Sequence, residues 1–163
     1  MNLQTFDNIF PSALKPGTIQ PFIHKGEWAV HEVLPILFDK IGCFNVAIAT
    51  FSISEDSLRS LFFMSDDGKI QDLTILLDQT VKRHKLDMLL FAESITRNIR
   101  IDSNHSKILL VWNKDYQFGI VGSANLNLNA RYEAGFYFSG GEHFDYFKQQ
   151  FFEIYGNAID IDT

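Results

Sequence analysis

His105 and Lys107 are the two residues of this chain whose types and spacing most directly predict chemistry. Successive side chains of a strand point to opposite faces, so residues two positions apart point the same way. An imidazole can attack phosphorus or transfer a proton near neutral pH, and an ammonium can hold anionic oxygens. The pair therefore predicts a site for a phosphate ester.

Three polar residues that suit the same site follow the pair. Ser123 and Asn125 belong to a Gly-Ser-x-Asn turn after two apolar segments, and Glu133 comes shortly afterwards. Alone, the turn would indicate only a change of chain direction and a cap. In one short span with His105 and Lys107, the turn and Glu133 are predicted to belong to the same active site. The remaining histidines have no lysine two residues later and are predicted to be ordinary surface or packed residues: His24, His31, His84 and His143.

The charge distribution supports an anionic ligand, although the chain as a whole is acidic. The net charge is −6, which argues against binding nucleic acid through bulk basicity. Residues 80–131, however, contain eight basic and four acidic residues, a net charge of +4. A solvated helix face around residues 82–85 would explain part of this excess. A polyanionic substrate around the predicted site would explain it as well.

Length and composition predict one globular domain preceded by a short arm. The chain has 163 residues, of which 46% are apolar, and no apolar run approaches the length of a membrane span. The first residues lack the pattern of a secretion signal, so a cytoplasmic location is expected. Cys43 is expected to be a buried small residue. Residues 1–27 contain three prolines and predict an extended arm or loop, and residues 28–163 form the predicted domain.

Apolar patterns within that domain predict alternating helices and strands, and therefore an α/β fold on a mixed sheet. A helix between Trp28 and Ile41 is either kinked at Pro35 or begins near Val33. Crossover helices are predicted after Ser54 and over 81–93, the latter with Leu86, Leu89 and Leu90 inside. The final helix, 142–155, is followed by a frayed acidic tail over 160–163. The predicted strands are 44–53, 73–77, 98–102, 107–112, 118–121 and 134–139, with a hairpin turn at 113–115.

The order His105-Ser-Lys107, then Gly122-Ser123-Ala124-Asn125, then Glu133 resembles the phospholipase D superfamily. Its hallmark is H-x-K-x4-D, followed by G-S-x-N and a further acidic residue. The resemblance implies a phospholipase D-like mixed β-sheet flanked by helices on both faces. Two features depart from the pattern: Trp112 occupies the position of the family aspartate, and the interval to Gly122 is three residues longer. That aspartate is commonly structural in the family, and a longer hairpin near Asn113 accounts for the interval.

The resemblance also implies a mechanism with two histidines. One imidazole forms a covalent phosphohistidine, and the second protonates the leaving oxygen and then activates water. Two copies of the motif are needed and this chain has one, so the resemblance implies a homodimer with a shared site. By the same analogy Lys107 and Asn125 hold the non-bridging oxygens, Ser123 assists, and Glu133 orients the imidazole of His105.

These observations predict a metal-independent phosphodiesterase of the phospholipase D superfamily, a nuclease acting on DNA or RNA. No cofactor is expected, and no cluster of side chains has metal-ligand spacing. Any sequence specificity would require a separate partner, because no DNA-reading motif is present. Two alternatives remain open: hydrolysis of another phosphodiester such as a phospholipid, and a non-catalytic module that binds nucleic acid or protein.

Overall fold

A mixed sheet of eight strands runs through the whole molecule. The structure is a computed structural model that describes residues 1–160. The strand order across the sheet is β1-β7-β6-β5-β2-β3-β4-β8. The strands are β1 (Thr18–Lys25), β2 (Phe44–Thr50), β3 (Ile70–Asp78), β4 (Ile99–Asp102), β5 (Ile108–Trp112), β6 (Gln117–Gly122), β7 (Tyr132–Ser139) and β8 (Ile159–Asp160).

Helices cover both faces of this sheet, which confirms the predicted fold class. Alternate residues of β5 pack into separate cores: Leu109 and Val111 lie on one face, and Leu110 lies on the other. The helices are α1 (Leu3–Ile9), α2 (Val33–Ile41), α3 (Glu55–Asp66), α4 (Thr80–His84), α5 (Leu86–Ile95) and α6 (Gly141–Asn157). Helices α1 to α5 contribute to the larger core, and α6 packs through Phe144 and Phe151 onto the opposite face.

The central strands pair as the sequence predicts. β2 pairs in parallel with β3, and β3 pairs in parallel with β4, so α3 and the α4–α5 segment are the crossover connections. β5, β6 and β7 pair antiparallel, and β5 also pairs antiparallel with β2. β2 is buried along nearly its whole length because it lies between β3 and β5 under helices. The mixed sheet thus joins a parallel half to an antiparallel half.

Two helix starts follow from local chemistry. The Ser54 hydroxyl accepts a hydrogen bond from the Ser57 backbone N–H and caps α3, as predicted. α2 begins at Val33, so Pro35 lies in its first turn. A proline is tolerated there because the first N–H groups of a helix have no intrahelical acceptor. The second of the two predicted interpretations of Pro35 is therefore confirmed.

The predicted helix over 81–93 is wrong in one respect, because Lys85 divides it into α4 and α5. Lys85 has φ −142° and ψ 47°, outside the helical region. The break changes the helical phase, so Leu89 is buried while Leu86 and Leu90 are about half exposed. The prediction that all three leucines face inward is therefore wrong for two of them.

The N-terminal segment also differs from its prediction. Residues 1–27 were expected to form an extended arm or loop, but they contain α1 and β1. Phe6 and Phe10 are buried in the larger core, which holds the segment onto the domain. Pro21 lies within β1, where it is tolerated because β1 is at the edge of the sheet and, among residues 1–160, has no strand partner on one side.

Three smaller predictions concern Cys43, the tail and the location of the protein. Cys43 is exposed, so the expectation that it is buried is wrong; it lies in the turn just before the apolar run of β2. Ile159 and Asp160 pair with β4, and the rest of the predicted frayed tail lies outside the described residues. Within residues 1–160, no helix has the length and apolar character to cross a bilayer. A cytoplasmic location stays a prediction.

Candidate active site

All five predicted site residues lie at one end of the sheet and line one groove. His105 and Lys107 lie in the segment between β4 and β5, and Ser123 and Asn125 follow β6. Glu133 lies near the start of β7, which runs antiparallel to β6. The groove has a volume of about 560 Å³ and is lined by Phe51, Ser52, His105, Lys107, Ser123, Asn125, Asn127, Asn129, Arg131, Tyr132 and Glu133.

His105 and Lys107 are in direct contact. Lys107 Nζ lies 3.1 Å from His105 Nδ1 and 2.5 Å from the His105 carbonyl oxygen. An ammonium group only donates hydrogen bonds, so Nδ1 accepts and the hydrogen of a neutral ring lies on Nε2. The imidazole is exposed to solvent in the groove, where a ligand can reach it. The predicted proximity of the two side chains is therefore observed.

Burial lowers the pKa of the Lys107 ammonium below its usual range. Two carboxylates, Glu133 and Asp78, oppose this shift because their negative charges favour the protonated form. The site therefore holds a cation that is partly desolvated and close to the imidazole. An anion bound beside it would experience a stronger attraction than it would beside a fully hydrated lysine.

Glu133 contacts the Gly-Ser-x-Asn turn and not the imidazole. It accepts a short hydrogen bond from Ser123 Oγ, and its other oxygen lies 2.9 Å from Asn129 Nδ2. The Ser123 hydroxyl also accepts a hydrogen bond from the Ala134 backbone N–H at 3.0 Å. Within residues 1–160 no hydrogen bond joins Glu133 to His105, so the predicted contact that would orient the ring is not observed. In this structure Glu133 holds the turn in place across β6 and β7.

The orientation of the Asn125 side chain suits an anion. Its Oδ1 accepts hydrogen bonds from the Ser52 backbone N–H at 3.3 Å and from Thr50 Oγ1 at 3.4 Å. Because the backbone N–H can only donate, the oxygen of the amide must face it. The Nδ2 donors are therefore directed away from these two groups and are available to a ligand oxygen.

Sequence reasoning missed the residues that support the histidine segment. Asp78, at the end of β3, is buried; its Oδ2 accepts a hydrogen bond from the Asn104 backbone N–H at 3.0 Å, and its Oδ1 accepts one from the Thr80 N–H at 2.8 Å. Asn104 Nδ2 in turn donates to the Thr50 carbonyl at 3.3 Å. The only signal in the sequence was that these polar residues end buried parallel strands, where sites of such sheets commonly lie.

Phe51 is a second missed residue. Its ring lies 5.0 Å from the imidazole of His105, centroid to centroid, and 5.6 Å from Lys107 Nζ. It follows β2 directly and forms an apolar wall beside the two polar groups. The sequence placed it inside the predicted strand 44–53, which concealed this role.

Trp112, which replaces the family aspartate, lies at the far end of β5. It is five residues beyond Lys107, about 16 Å along an extended strand. Its indole packs against Phe144 and Phe152 of α6, and Lys148 Nζ lies 4.2 Å from its ring. Trp112 therefore packs against α6 and does not line the groove. The long β5–β6 hairpin is also observed, since Asn113 Oδ1 accepts hydrogen bonds from the Asp115 and Tyr116 N–H groups.

The other histidines do not line the groove. His24 and His31 are largely buried, and burial lowers the pKa of His31. His84 and His143 are exposed on α4 and α6. Within residues 1–160, His105 is the one imidazole in the groove, and no group of three or more His, Cys, Asp or Glu side chains is arranged to hold a metal ion.

Comparison with solved structures gives the fold. No family model and no curated protein sequence matches the chain. The crystal structure of Nuc from Salmonella typhimurium, a phospholipase D family member, aligns with a TM-score of 0.66 over 88% of this chain and 97% of Nuc. The chain has a phospholipase D-like fold. Sequence identity in that alignment is 16%, so the predicted resemblance is confirmed for the fold.

A second solved structure is similar to this chain at a lower TM-score. TrmBL2, described as an archaeal chromatin protein with a novel mode of DNA binding, aligns with a TM-score of 0.56 and 14% identity. The alignment covers 96% of this chain and 59% of TrmBL2.

Proposed function

We propose that this protein is a metal-independent phosphodiesterase that hydrolyses nucleic acid through a covalent phosphohistidine. One observation supports the proposal above all: an exposed imidazole and a partly desolvated ammonium lie 3.1 Å apart in an open groove. The turn that carries Ser123 and Asn125 lines the same groove and offers hydrogen-bond donors. These groups would supply the nucleophile and the anion-binding donors for transfer of a phosphoryl group to nitrogen.

In the first step a nitrogen lone pair of His105 attacks phosphorus and a P–N bond forms. The P–O bond to the leaving oxygen breaks, and that oxygen takes a proton from a second imidazole. Attack through Nε2 requires the ring hydrogen on Nδ1. In this structure, however, Nδ1 accepts a hydrogen bond from Lys107 Nζ. A phosphate that draws Lys107 Nζ onto its own oxygens would release Nδ1 and allow this tautomer. The second imidazole then removes a proton from water, which attacks phosphorus and breaks the P–N bond.

The second imidazole comes from a second copy of the chain. Two-fold symmetry would bring two copies of His105 and Lys107 to one phosphate. An apolar surface on the outer strands supports this assembly. Ile23, Tyr132 and Phe136 are 72%, 71% and 51% exposed, and Tyr132 also lines the groove. Exposed apolar side chains that continue into a half-complete site are typical of an interface.

Nucleic acid is the substrate that the charges near the groove favour, and phospholipid is the alternative. The test offers the wild-type protein plasmid DNA, single-stranded DNA, RNA, bis(4-nitrophenyl) phosphate and phosphatidylcholine vesicles, each with and without EDTA. We expect nucleic acid and the small diester to be cleaved equally well with EDTA, because no metal ion takes part. If the protein cleaves the phospholipid of the vesicles and leaves nucleic acid intact, phospholipid is the substrate. Loss of cleavage in EDTA would contradict the metal-independent mechanism.

A DNA-binding module without catalysis is the second candidate. TrmBL2 is described by its DNA binding and has a similar fold, and Trp112 departs from the hallmark of the superfamily. Binding of labelled DNA without turnover of any of the five substrates, unchanged by His105→Ala, would favour this candidate.

A further inference from the structure

We infer that the basic turn formed by Lys82, Arg83 and Lys85 is a second phosphate-binding subsite, occupied by a neighbouring phosphate of the same nucleic-acid strand. The inference rests on the proposed function and extends it, because a second subsite would make the protein prefer a polymer to a small diester. The turn comprises α4 and the residue that follows it.

Lys85 connects this turn to the groove. Its Nζ donates to Ser52 Oγ at 2.8 Å and lies 3.3 Å from the Ile53 carbonyl oxygen. Ser52 lines the groove, and its backbone N–H donates to Asn125 Oδ1. The Lys85 ammonium is therefore one side chain away from the residues that would hold the reacting phosphate.

A buried carboxylate fixes the turn relative to the nucleophile. One oxygen of Asp78 accepts the Thr80 N–H at the start of α4, and the other accepts the N–H of Asn104, the residue before His105. The backbone N–H of Gln79 also donates to the Asp102 carbonyl at 2.9 Å. The basic turn and His105 thus share one anchor, so a strand bound to the first lies at a defined distance from the second.

The cations of this turn are exposed and free of carboxylates. Lys82, Arg83 and Lys85 are exposed, and within residues 1–160 none has a carboxylate oxygen within 4 Å. Four basic residues elsewhere in the chain are paired with acids: Lys40 with Asp7, Arg59 with Glu55, Lys69 with Asp67 and Lys114 with Asp115. Unpaired cations beside a phosphate site release counterions when a polyanion binds, and so contribute to affinity.

Acidic residues near the turn leave its charge positive. Asp87 follows it in the first turn of α5, and Glu55 and Asp56 lie in the first turn of α3 on the same side of the sheet, where Glu55 is paired with Arg59. Asp78 is buried and already hydrogen-bonded to two backbone N–H groups. Within residues 1–160, the three cations therefore outnumber the two exposed acids there that form no ion pair, Asp56 and Asp87.

The test removes two charges and compares a polymer with a small diester. The double variant Lys82→Ala/Arg83→Ala leaves the Lys85–Ser52 contact intact. The control variant Arg97→Ala/Lys114→Ala removes the same charge from exposed residues at the opposite end of the sheet. Both are assayed with an oligonucleotide of ~20 nucleotides and with bis(4-nitrophenyl) phosphate. Binding of the labelled oligonucleotide is measured by fluorescence anisotropy in a His105→Ala background at several salt concentrations.

We expect the subsite variant to raise KM and Kd for the oligonucleotide about tenfold at low salt. Any rise in KM for bis(4-nitrophenyl) phosphate should be at least about fivefold smaller than the rise in KM for the oligonucleotide. The slope of log Kd against log salt should fall by roughly one to two, since about two phosphate contacts are lost. The control variant should show neither effect.

The inference would be overturned if KM and Kd for the oligonucleotide changed equally in the subsite and control variants. It would also be overturned if the subsite variant changed KM equally for the oligonucleotide and the small diester. Failure of the proposed function gives a different result, because wild-type protein would then cleave neither substrate. The anisotropy measurement would still test the subsite in that case, since it does not require turnover.

Discussion

His105, the proposed nucleophile, is exposed and has few structural contacts. His105 contacts Lys107 and lies beside Phe51, and its ring holds no element of the sheet in place. Exposed side chains of this kind change folding stability by about 0.5 kcal/mol or less when replaced. Activity and stability can therefore be separated at this position.

The first prediction concerns His105→Ala. We expect cleavage of bis(4-nitrophenyl) phosphate to fall by about 10³-fold or more. Without the imidazoles, the covalent intermediate cannot form and the leaving oxygen cannot be protonated. The urea midpoint should stay within experimental error of the wild type. His143→Ala, which removes an exposed imidazole from α6, is the matched control and should keep full activity. Substantial cleavage by His105→Ala would contradict the assignment of the nucleophile.

The second prediction concerns the charge on Lys107. Burial lowers its pKa, so as pH rises it loses its proton earlier than an ordinary lysine does. We expect affinity for sulfate, which does not titrate in this range, to fall with rising pH before the ordinary lysine range of ~10.4 is reached. Sulfate binding can be followed by the NMR shift of the Ser123 amide.

Lys107→Arg provides the control for that titration, because a guanidinium stays charged throughout the range. Its affinity for sulfate should be nearly independent of pH. If wild type and Lys107→Arg lose affinity at the same pH, another group governs anion binding.

The loops between strands depend on contacts that cross the sheet. The segment that carries His105 lies against Asp78 of β3. Asn104 in this segment donates its backbone N–H to Asp78, which lies 26 residues earlier in the chain. Burial raises the pKa of the Asp78 carboxyl, but hydrogen bonds from Thr80 and Asn104 outweigh this effect, and the pKa lies below its usual range. The carboxylate form of Asp78 therefore stabilises the folded state.

The third prediction tests this anchor with Asp78→Asn. The amide has one acceptor oxygen, so one of the two backbone N–H groups loses its partner, at a cost of about 1–3 kcal/mol. We expect kcat to fall more than KM rises, because the histidine segment loses its support. Asp67→Asn, at the exposed end of α3, should change neither quantity.

The pH dependence of stability gives the third prediction a second measurement. A lowered pKa in the folded state means that the stability from this carboxylate is present at neutral pH. It is lost as pH falls from the unfolded value of ~3.9 through the lower folded value. Urea unfolding of the wild type between pH ~7 and pH ~2 should show this decrease in the free energy of unfolding. In Asp78→Asn, the part of the decrease that comes from the Asp78 carboxylate should be absent. Parallel curves would contradict the role given to Asp78.

The whole molecule presents half of the proposed site and an apolar surface beside it. Ile23 is the most exposed large apolar side chain of that surface, on edge strand β1. β1 pairs with β7 along its full length, and Ile23 lies opposite Ala134. Two positions further along β1, Lys25 lies opposite Tyr132, which lines the groove. An interface here would adjoin the groove.

The fourth prediction is that Ile23→Asp abolishes the dimer. A charge at the centre of an apolar interface is costly, whereas the same charge on an exposed strand of a monomer is tolerated. We expect wild type to sediment as a dimer and Ile23→Asp to sediment as a folded monomer with about 10²-fold lower activity. Phe63→Asp, an equally drastic change at an exposed residue of α3, should remain dimeric and active. A wild-type protein that is monomeric and fully active would exclude the shared site.

Much of the architecture follows from the sequence alone, because its signals are local. The apolar run of β2, the closely spaced strand segments of β5 to β7 and the Ser54 cap are properties of neighbouring residues. The spacing of His105 and Lys107, and the turn at Ser123 and Asn125, likewise indicated where the groove would lie.

Only the tertiary structure decided how those residues are held. Lys85 leaves the helical region and bonds to Ser52, 33 residues earlier, and Asp78 bonds across the sheet to Asn104. Glu133 bonds to Ser123 and Asn129, and Phe6 and Phe10 fold the N-terminal segment into the core. Such contacts join residues that are distant along the chain, so their free energies depend on the packed sheet and override local preference.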